Sequence, residues 1–498
     1  MSDGISEGTK GVSHEQERTE RRVENIANGE IQEQLRTIKQ DKVNEDGDSI
    51  TEINDKAGVA KELFQGDILL TETQAKEIIE DIEKEARENT RTKRQAYKDS
   101  RYPDTIWSDG VNYYFHPYAS YETQRAFIKG AELWERDTCI DFIYDSTATD
   151  RIVVAPGNGI GCWSSIGKVG GEQSILLGSG CEMVHIAAHE IGHALGFYHT
   201  MARHDRDYHV IIDVWNITPG WARQYNKETT DTNDNYDLPY DAGSIMHYGM
   251  RSSSANTLPT IVPYDMKHQK TLGSPFISFI DLSMMNEHYN CKALCNSSTS
   301  VTCERGGFPH PRDCQKCICP GGYGGARCTE RPAGCGRTIQ ASTKWETLND
   351  TLGEWWTTRE DFTKCHYWIE SPENTTIEVE LVDFTKGFAI DGCVYAGVEI
   401  KTIQDQTLTG YRFCAPEDAG MYLRSFSNLV PIMTYNRVGV TSTQLKYRYS
   451  ETLKFISPVE DRSQLLISYN FSSYKQRICN YYRKATCYYE RHKTVQMR

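Results

Sequence analysis

The sequence predicts a multidomain chain: a polar N-terminal segment, a mixed helix-and-strand domain around a histidine-rich helix, a small cysteine-stapled module and a strand-rich C-terminal domain. Three observations predict it. The run His189-Glu190-Ile191-Gly192-His193-Ala194-Leu195-Gly196-Phe197-Tyr198-His199 marks the first folded domain, all 16 cysteines fall at or after Cys139, and the first sixty residues are polar with few aromatics. An even cysteine count fits disulfides formed in an oxidising compartment. The formal net charge of −14 argues against a nucleic-acid partner, because no basic face would meet phosphate. No apolar run is long enough to span a bilayer, so no transmembrane segment is expected.

Taken in order, residues 1–60 bury too little apolar surface to offset the entropy of ordering, and disorder or fraying helix is expected there. Leu63-Phe64-Gln65-Gly66-Asp67-Ile68 alone reads as a turn, and Arg91-Thr92-Lys93-Arg94 as a dibasic cleavage site in a polar stretch. Trp107 to Val111 opens a strand, residues 121–136 place Phe127, Ala131 and Trp134 on one face of a core helix, and Arg151 to Ala155 reads as a strand. His189 and His193, four residues apart, project from one helix face, so both rings can meet one metal ion. Glu190 lies beside them, able to reach a water in an open coordination position, and is the candidate general base. Gly196 lets the helix stop and the chain swing, which would bring in His199 as third ligand. Three protein ligands with one open position are the pattern of catalytic rather than structural zinc. His185, a turn earlier on that face, is read as a packed or surface histidine. Ser278 with Asp281 signals a capped helix whose apolar stripe is Leu282, Met285 and Tyr289. Six cysteines within residues 295–328 staple a core too small to stand alone, and Cys335, Cys365, Cys393 and Cys414 punctuate a strand-rich stretch.

Ser244-Ile245-Met246-His247-Tyr248 follows downstream, and a long zinc motif with a later methionine resembles the metzincins. The tyrosine two residues after that methionine, together with Arg203-His204-Asp205-Arg206-Asp207, Pro239-Tyr240-Asp241 and Leu258-Pro259-Thr260-Ile261, resembles the astacins, and the whole looks like nematode astacins with EGF-like and CUB modules. The resemblance implies an α+β metzincin catalytic domain with a twisted mixed sheet, helices and a zinc cleft. A disulfide-rich EGF-like module and an all-β CUB sandwich would follow it. It implies one Zn²⁺ on His189, His193 and His199, Met246 in a turn beneath the ion, and Tyr248 as a zinc ligand that swings to meet the oxyanion. It makes Asp67 the zymogen latch over the zinc and Arg94-Gln95 the activation cleavage by a furin-like convertase. Cys162 to Ser165 resembles the edge strand above the cleft, where an extended substrate could add as another strand. Cys139 is expected to pair with Cys291 and Cys162 with Cys181. Cys295, Cys303, Cys314, Cys317, Cys319 and Cys328 are expected in EGF-like disulfides, the four later ones in the CUB, and Cys479 with Cys487 in a tail. Two departures stand out. Thr200 replaces the glutamate that usually holds the new amino terminus, so a cyclised, neutral Gln95 is expected to face it, and Ala396 stands where many CUB modules carry a calcium-binding aspartate.

The expected domains are 1–60, a polar disordered segment; 61–94, latch and activation site; 95–291, catalytic; 295–328, EGF-like; 335–472, CUB; and 473–498, tail. The expected function is a secreted zinc endopeptidase made as a latent precursor and acting on extracellular proteins, cuticle or matrix proteins among them. The alternatives are a silent binding scaffold using the EGF-like and CUB modules, and a serralysin-like metzincin. Sequons at Asn216, Asn296, Asn349, Asn374 and Asn470 agree with secretion, although Pro219 weakens the first. The first sixty residues show no apolar signal region, and an incomplete N-terminus is the expected reason.

Overall fold

Ser49 starts the first helix: its hydroxyl accepts a hydrogen bond from the Glu52 N–H, and Gly58, at φ 76°, ends it, giving α1 at Ile50–Ala57. The computed structural model describes residues 38–88, 96–98, 101–157, 161–228, 233–296 and 298–451. Of its two units, Lys39–Thr452 carries everything discussed below, and the other, Met1–Ile38 with Leu453–Arg498, lies outside the described residues apart from Ile38. The expected disorder or fraying helix over residues 1–60 is therefore corrected for residues 38–60, where the helix is capped and packed. A window-averaged polarity hides a short capped helix whose Ile50 and Ile53 join the core of the domain that follows.

That domain is a mixed sheet against helices. After α1 come β1 (Ile68–Leu69), α2 (Glu72–Glu88), β2 (Ala96–Tyr97), β3 (Val111–Phe115), α3 (Tyr121–Arg136), β4 (Phe142–Tyr144), β5 (Arg151–Ala155), β6 (Cys162–Ser165), β7 (Glu172–Leu177) and α4 (Val184–Ala194). The six-stranded sheet has the order β1-β6-β7-β5-β3-β4, with only β6 and β7 antiparallel. The expected core helix is α3, capped by Ser120, and it buries Phe127, Ala131 and Trp134. Gly130 lets α3 meet α4 closely, since a Cβ there would lie 2.9 Å from the Ala188 nitrogen, and the Trp134 indole N–H donates to the Ala188 carbonyl at 2.8 Å. The short strands β8 (Val210–Ile212), β9 (Asn233–Asp234) and β10 (Ile261–Pro263) form two small pairs, β8 with β10 and β9 with β2. Helix α5 (Phe279–His288) closes the domain behind the expected Ser278–Asp281 capping box.

The cysteine-rich module carries one hairpin, β11 (Phe308–His310) with β12 (Asp313–Ile318). It is wedged between its neighbours: Phe308 and Ile318 pack on Phe279 and Ile280 of α5, and Tyr323 and Cys328 pack on Trp368 and Leu429 of the next domain. That last domain holds β13 (Thr338–Gln340), β14 (Glu346–Glu370), β15 (Thr375–Thr385), β16 (Ala396–Ile400), β17 (Tyr411–Phe413), β18 (Tyr422–Arg424) and β19 (Leu429–Glu451). The long pair β14–β19 breaks register between Gly353 and Thr363, and one end of β19 then pairs with β16 while the other pairs with β15. Bent strands thus serve both halves of an all-β domain, and Ile369, Val398 and Ile432 from one half share a core with Leu348, Val379 and Leu445 from the other.

Seven disulfides are described: Cys139–Cys291, Cys162–Cys181, Cys295–Cys314, Cys303–Cys317, Cys319–Cys328, Cys335–Cys365 and Cys393–Cys414. The first two match the pairings the resemblance implied. Cys479, Cys487 and the tail lie outside the described residues. Among the sequons, Asn296, Asn349 and Asn374 are exposed, and Asn470 lies outside the described residues. Asn216 is a correction: it is buried, with its amide nitrogen donating to Pro259 O at 2.8 Å and Asp213 Oδ2 at 3.2 Å, so a glycan would have no room or free nitrogen.

Candidate metal centre

Helix α4 is buried on every side, and its ladder ends where the sequence places a glycine. Gly196 sits at φ 110°, its N–H donating to the His193 carbonyl at 2.8 Å, and the chain returns so that His199 faces the helix. The three imidazoles are tightly oriented from behind. His189 Nδ1 lies 2.7 Å from Ile245 O, His193 Nδ1 2.6 Å from Phe197 O, and His199 Nδ1 2.8 Å from Gln65 Oε1. Donation at each Nδ1 leaves each Nε2 with a lone pair, and burial supports that state by pulling the His199 pKa down to about 3.

Those lone pairs converge. Asp67 Oδ2 lies 3.1 Å from His199 Nε2 and 3.3 Å from His189 Nε2, and Asp67 Oδ1 lies 3.4 Å from His193 Nε2. His189 and His199 bring their Nε2 atoms within 3.2 Å of each other, and one ligand atom from each of the four residues lies within 4.8 Å of the rest. Neutral nitrogens and a carboxylate directed at one point repel unless a cation stands between them, and imidazole donors with one oxygen donor suit zinc. The donor set fits the ion.

Around this centre the remaining expected residues fall into place. Glu190 is fully buried, neither carboxylate oxygen has a hydrogen-bond partner, and burial, aided by the charge of Asp67, pushes its pKa well above the usual range. The Tyr248 phenol stands beside His199, ring centroids 4.2 Å apart, and donates to the Gln65 carbonyl at 2.6 Å. Met246 is buried beneath α4 and its carbonyl accepts from the Thr200 N–H at 2.9 Å. Thr200 also donates its hydroxyl to Ser244 Oγ at 2.9 Å; Arg94 and Gln95, its expected neighbour, lie outside the described residues. His185 is half-buried and turns toward the interface with the last domain rather than joining the cluster. Ala396 is buried in β16.

Several residues that sequence reasoning passes over hold the site together. Gly66, at φ 94°, passes so close to Tyr248 that a Cβ would lie 3.0 Å from its hydroxyl. Gln65 orients His199 and pairs with buried Glu228. Asp281 does more than cap α5: it accepts from Ser244 Oγ at 2.6 Å and from the Ile245 N–H at 2.9 Å, anchoring the methionine turn, while burial raises its pKa to about 6. Gly192, inside the motif helix, leaves space for the Met246 sulfur, which would lie 2.6 Å from an added Cβ. A glycine in mid-helix was the one signal available. Gly192→Ala is expected to destabilise the domain by about 1–3 kcal/mol through overpacking, read as a lower midpoint in denaturant.

The sequence has relatives. The family described as Astacin, a peptidase family, matches residues 99–290. Zinc metalloproteinase nas-31 of Caenorhabditis elegans is 45% identical over 433 residues, which cover 85% of this chain and 70% of that protein. The chain belongs to the astacin family. Zinc metalloproteinase nas-32 of the same organism is 35% identical over 439 residues, covering 86% of this chain and 65% of its own length. Among solved structures, the chain is similar to high choriolytic enzyme 1, a hatching enzyme zinc-protease of Oryzias latipes. The identity is 32% over 39% of this chain and 94% of that one, with a TM-score of 0.34. As an astacin the protein is a zinc-dependent endopeptidase.

Residues 54–69 of this astacin lie along the strand edge beside the metal cluster. β1 adds to the edge of β6 in parallel, pairing Ile68 with Ser164 and Leu69 with Ser165, and the Ser164 N–H donates to Asp67 O at 3.0 Å. One step along the same edge, the Asn54 side chain completes the blockade: Cys162 N–H donates to its Oδ1, and its Nδ2 donates to Cys162 O, both at 2.7 Å. A carboxamide there takes both backbone groups that a docked strand would take.

Proposed function

We propose that this astacin is a secreted endopeptidase made as a latent precursor, with Asp67 as the latch, Arg94-Gln95 as the activation cleavage for a furin-like convertase, and extracellular proteins such as cuticle or matrix components as substrates. The observation that carries the reading is the Asp67 carboxylate, held 3.1–3.4 Å from three imidazole nitrogens at the one buried metal cluster among the described residues. The seven disulfides support an oxidising compartment, and exposed Asn296, Asn349 and Asn374 are the proposed glycan sites. The modules at 295–328 and 335–472 are assigned as EGF-like and CUB on their cysteine patterns and strands.

In the active enzyme His189, His193 and His199 would hold zinc, which when bound polarises the scissile carbonyl and acidifies a water. The edge of β6, freed of the pro-segment, aligns the substrate backbone through Cys162 and Ser164. Glu190, buried beside the ligands and with neither carboxylate oxygen engaged, takes the proton from water and returns it to the leaving amine. The Tyr248 phenol, released from Gln65, donates to the oxyanion, a contact of the kind worth about 3 kcal/mol. Met246 and Asp281 hold the turn that carries it.

The test is hydrolysis of casein or a fluorogenic peptide by protein processed after Arg94. Turnover is expected to stop with a chelator and return with stoichiometric zinc. Correctly processed, zinc-loaded protein that cleaves nothing would refute the proposal.

A further inference from the structure

The pro-segment does not end its contacts at the cleft. From Asn54 on β6, α1 leads back to Asp48, a buried aspartate whose carboxylate accepts the phenol hydrogen of Tyr395 in the last domain. Seven residues further back, Asp41 grips the same domain twice, its N–H donating to Ala389 O at 3.0 Å and its carboxylate accepting from Ala389 N–H at 2.8 Å. Arg437 lies against the Tyr395 ring, its guanidinium carbon 5.0 Å from the centroid, and adds positive charge near Asp48. Two acids of the last domain near this segment are paired, Asp391 with Arg251 at 2.7 Å and Glu417 with Lys39 at 3.3 Å. A small cavity lined by His189, Tyr248, Asp48, Asp391 and Val394 lies between the metal cluster and the last domain, with Val394 adjoining Tyr395 in the chain.

The pro-segment therefore occupies two surfaces in series: a strand edge that a substrate would use, and a face of the last domain that takes two aspartates. We infer that the face formed by Ala389, Tyr395 and Arg437 is a second substrate-binding surface, which in the activated enzyme recognises an acidic, extended stretch of the chain being cleaved. Its spacing from the edge strand follows from the helix. Asn54 to Ile50 spans four helical residues of about 1.5 Å rise, and the extended Ser49 and the residue before it carry the chain on to Asp48, together roughly 12 Å at most, which an extended chain covers in about four residues. The acidic residue is thus read about four positions beyond the one paired with Cys162. The phenol and the Ala389 backbone pair give direction, since both donate to carboxylates in the precursor. The inference rests on the endopeptidase reading for its meaning, but not for its measurement.

Two readouts separate them. A labelled peptide of residues 38–58, which lacks Asp67, is titrated onto processed protein, Gln95 to Arg498, by fluorescence anisotropy with the zinc removed. Binding is expected, and Asp48→Ala in the peptide or Tyr395→Phe in the protein should weaken it about tenfold. In turnover, fluorogenic peptides are extended at either end with an Asp-containing arm or with the same arm carrying alanines. The acidic arm at one end should lower KM about tenfold with little change in kcat, and the ratio between the two arms should fall toward one in Tyr395→Phe. Equal KM for both arms in the native enzyme, or peptide binding indifferent to Asp48 and Tyr395, would overturn the surface. Loss of all turnover with intact, Asp48-dependent peptide binding would instead overturn the endopeptidase reading and leave the surface standing.

Discussion

Glu190→Gln in the activated enzyme is expected to lower kcat about a thousandfold while the zinc content stays at one per chain. Positioned acid–base groups contribute roughly 10²–10⁴-fold, and the side chain here is used for nothing else: both oxygens are buried and neither carries a structural hydrogen bond. Glutamine keeps the volume and loses the proton acceptor. The imidazoles take their orientation from Ile245, Phe197 and Gln65, not from Glu190, so the ion should remain. Peptide turnover and metal analysis on one preparation check both halves. A variant retaining a tenth of the activity would move the base elsewhere.

The second large effect is in the precursor. With Arg94→Ala the chain should stay uncut and silent; adding Asp67→Ala should make the same uncut chain hydrolyse peptide at a rate about 10–100-fold above background. That range corresponds to a net loss equal to one charge-assisted contact, worth about 1.5–3 kcal/mol. The activity should remain below that of the processed enzyme, because Asn54 still covers Cys162 and Gln65 still holds Tyr248. Asn54→Ala on top should raise it again. A double variant as silent as Arg94→Ala alone would take the latch away from Asp67.

Much of the centre was legible because its chemistry is local in sequence. His189, Glu190 and His193 share one helix, Gly196 turns the chain, and His199 follows within a few residues. Asp67 and Met246 lie far away in the chain, and only resemblance to a family linked them to the histidines. What stayed hidden was long-range and polar. Asn54 in a charged stretch looks like any solvated asparagine until β6 presents a bare edge to it, and the helix that carries it forms because a neighbouring core buries Ile50 and Ile53. Gln65 reads as a turn residue, whereas its side chain bridges His199 and Glu228. The triplet at Asn216 satisfies a local rule for glycan attachment, yet the nitrogen is claimed by nearby Asp213 and by Pro259, 43 residues away. Composition averages over such contacts, and spacing does not record them.

β2, which begins one residue after the expected cut, is already seated in the precursor. Ala96 is fully buried, the Tyr97 N–H donates to Gly196 O at 2.8 Å, and both residues pair with β9. On the proposed cleavage after Arg94, the residues from Ala96 onward would therefore need no insertion to reach their seats. Under the proposed activation, maturation would be a departure rather than a construction, its pace set by the escape of the severed fragment, so a nicked but undissociated complex would still be asleep.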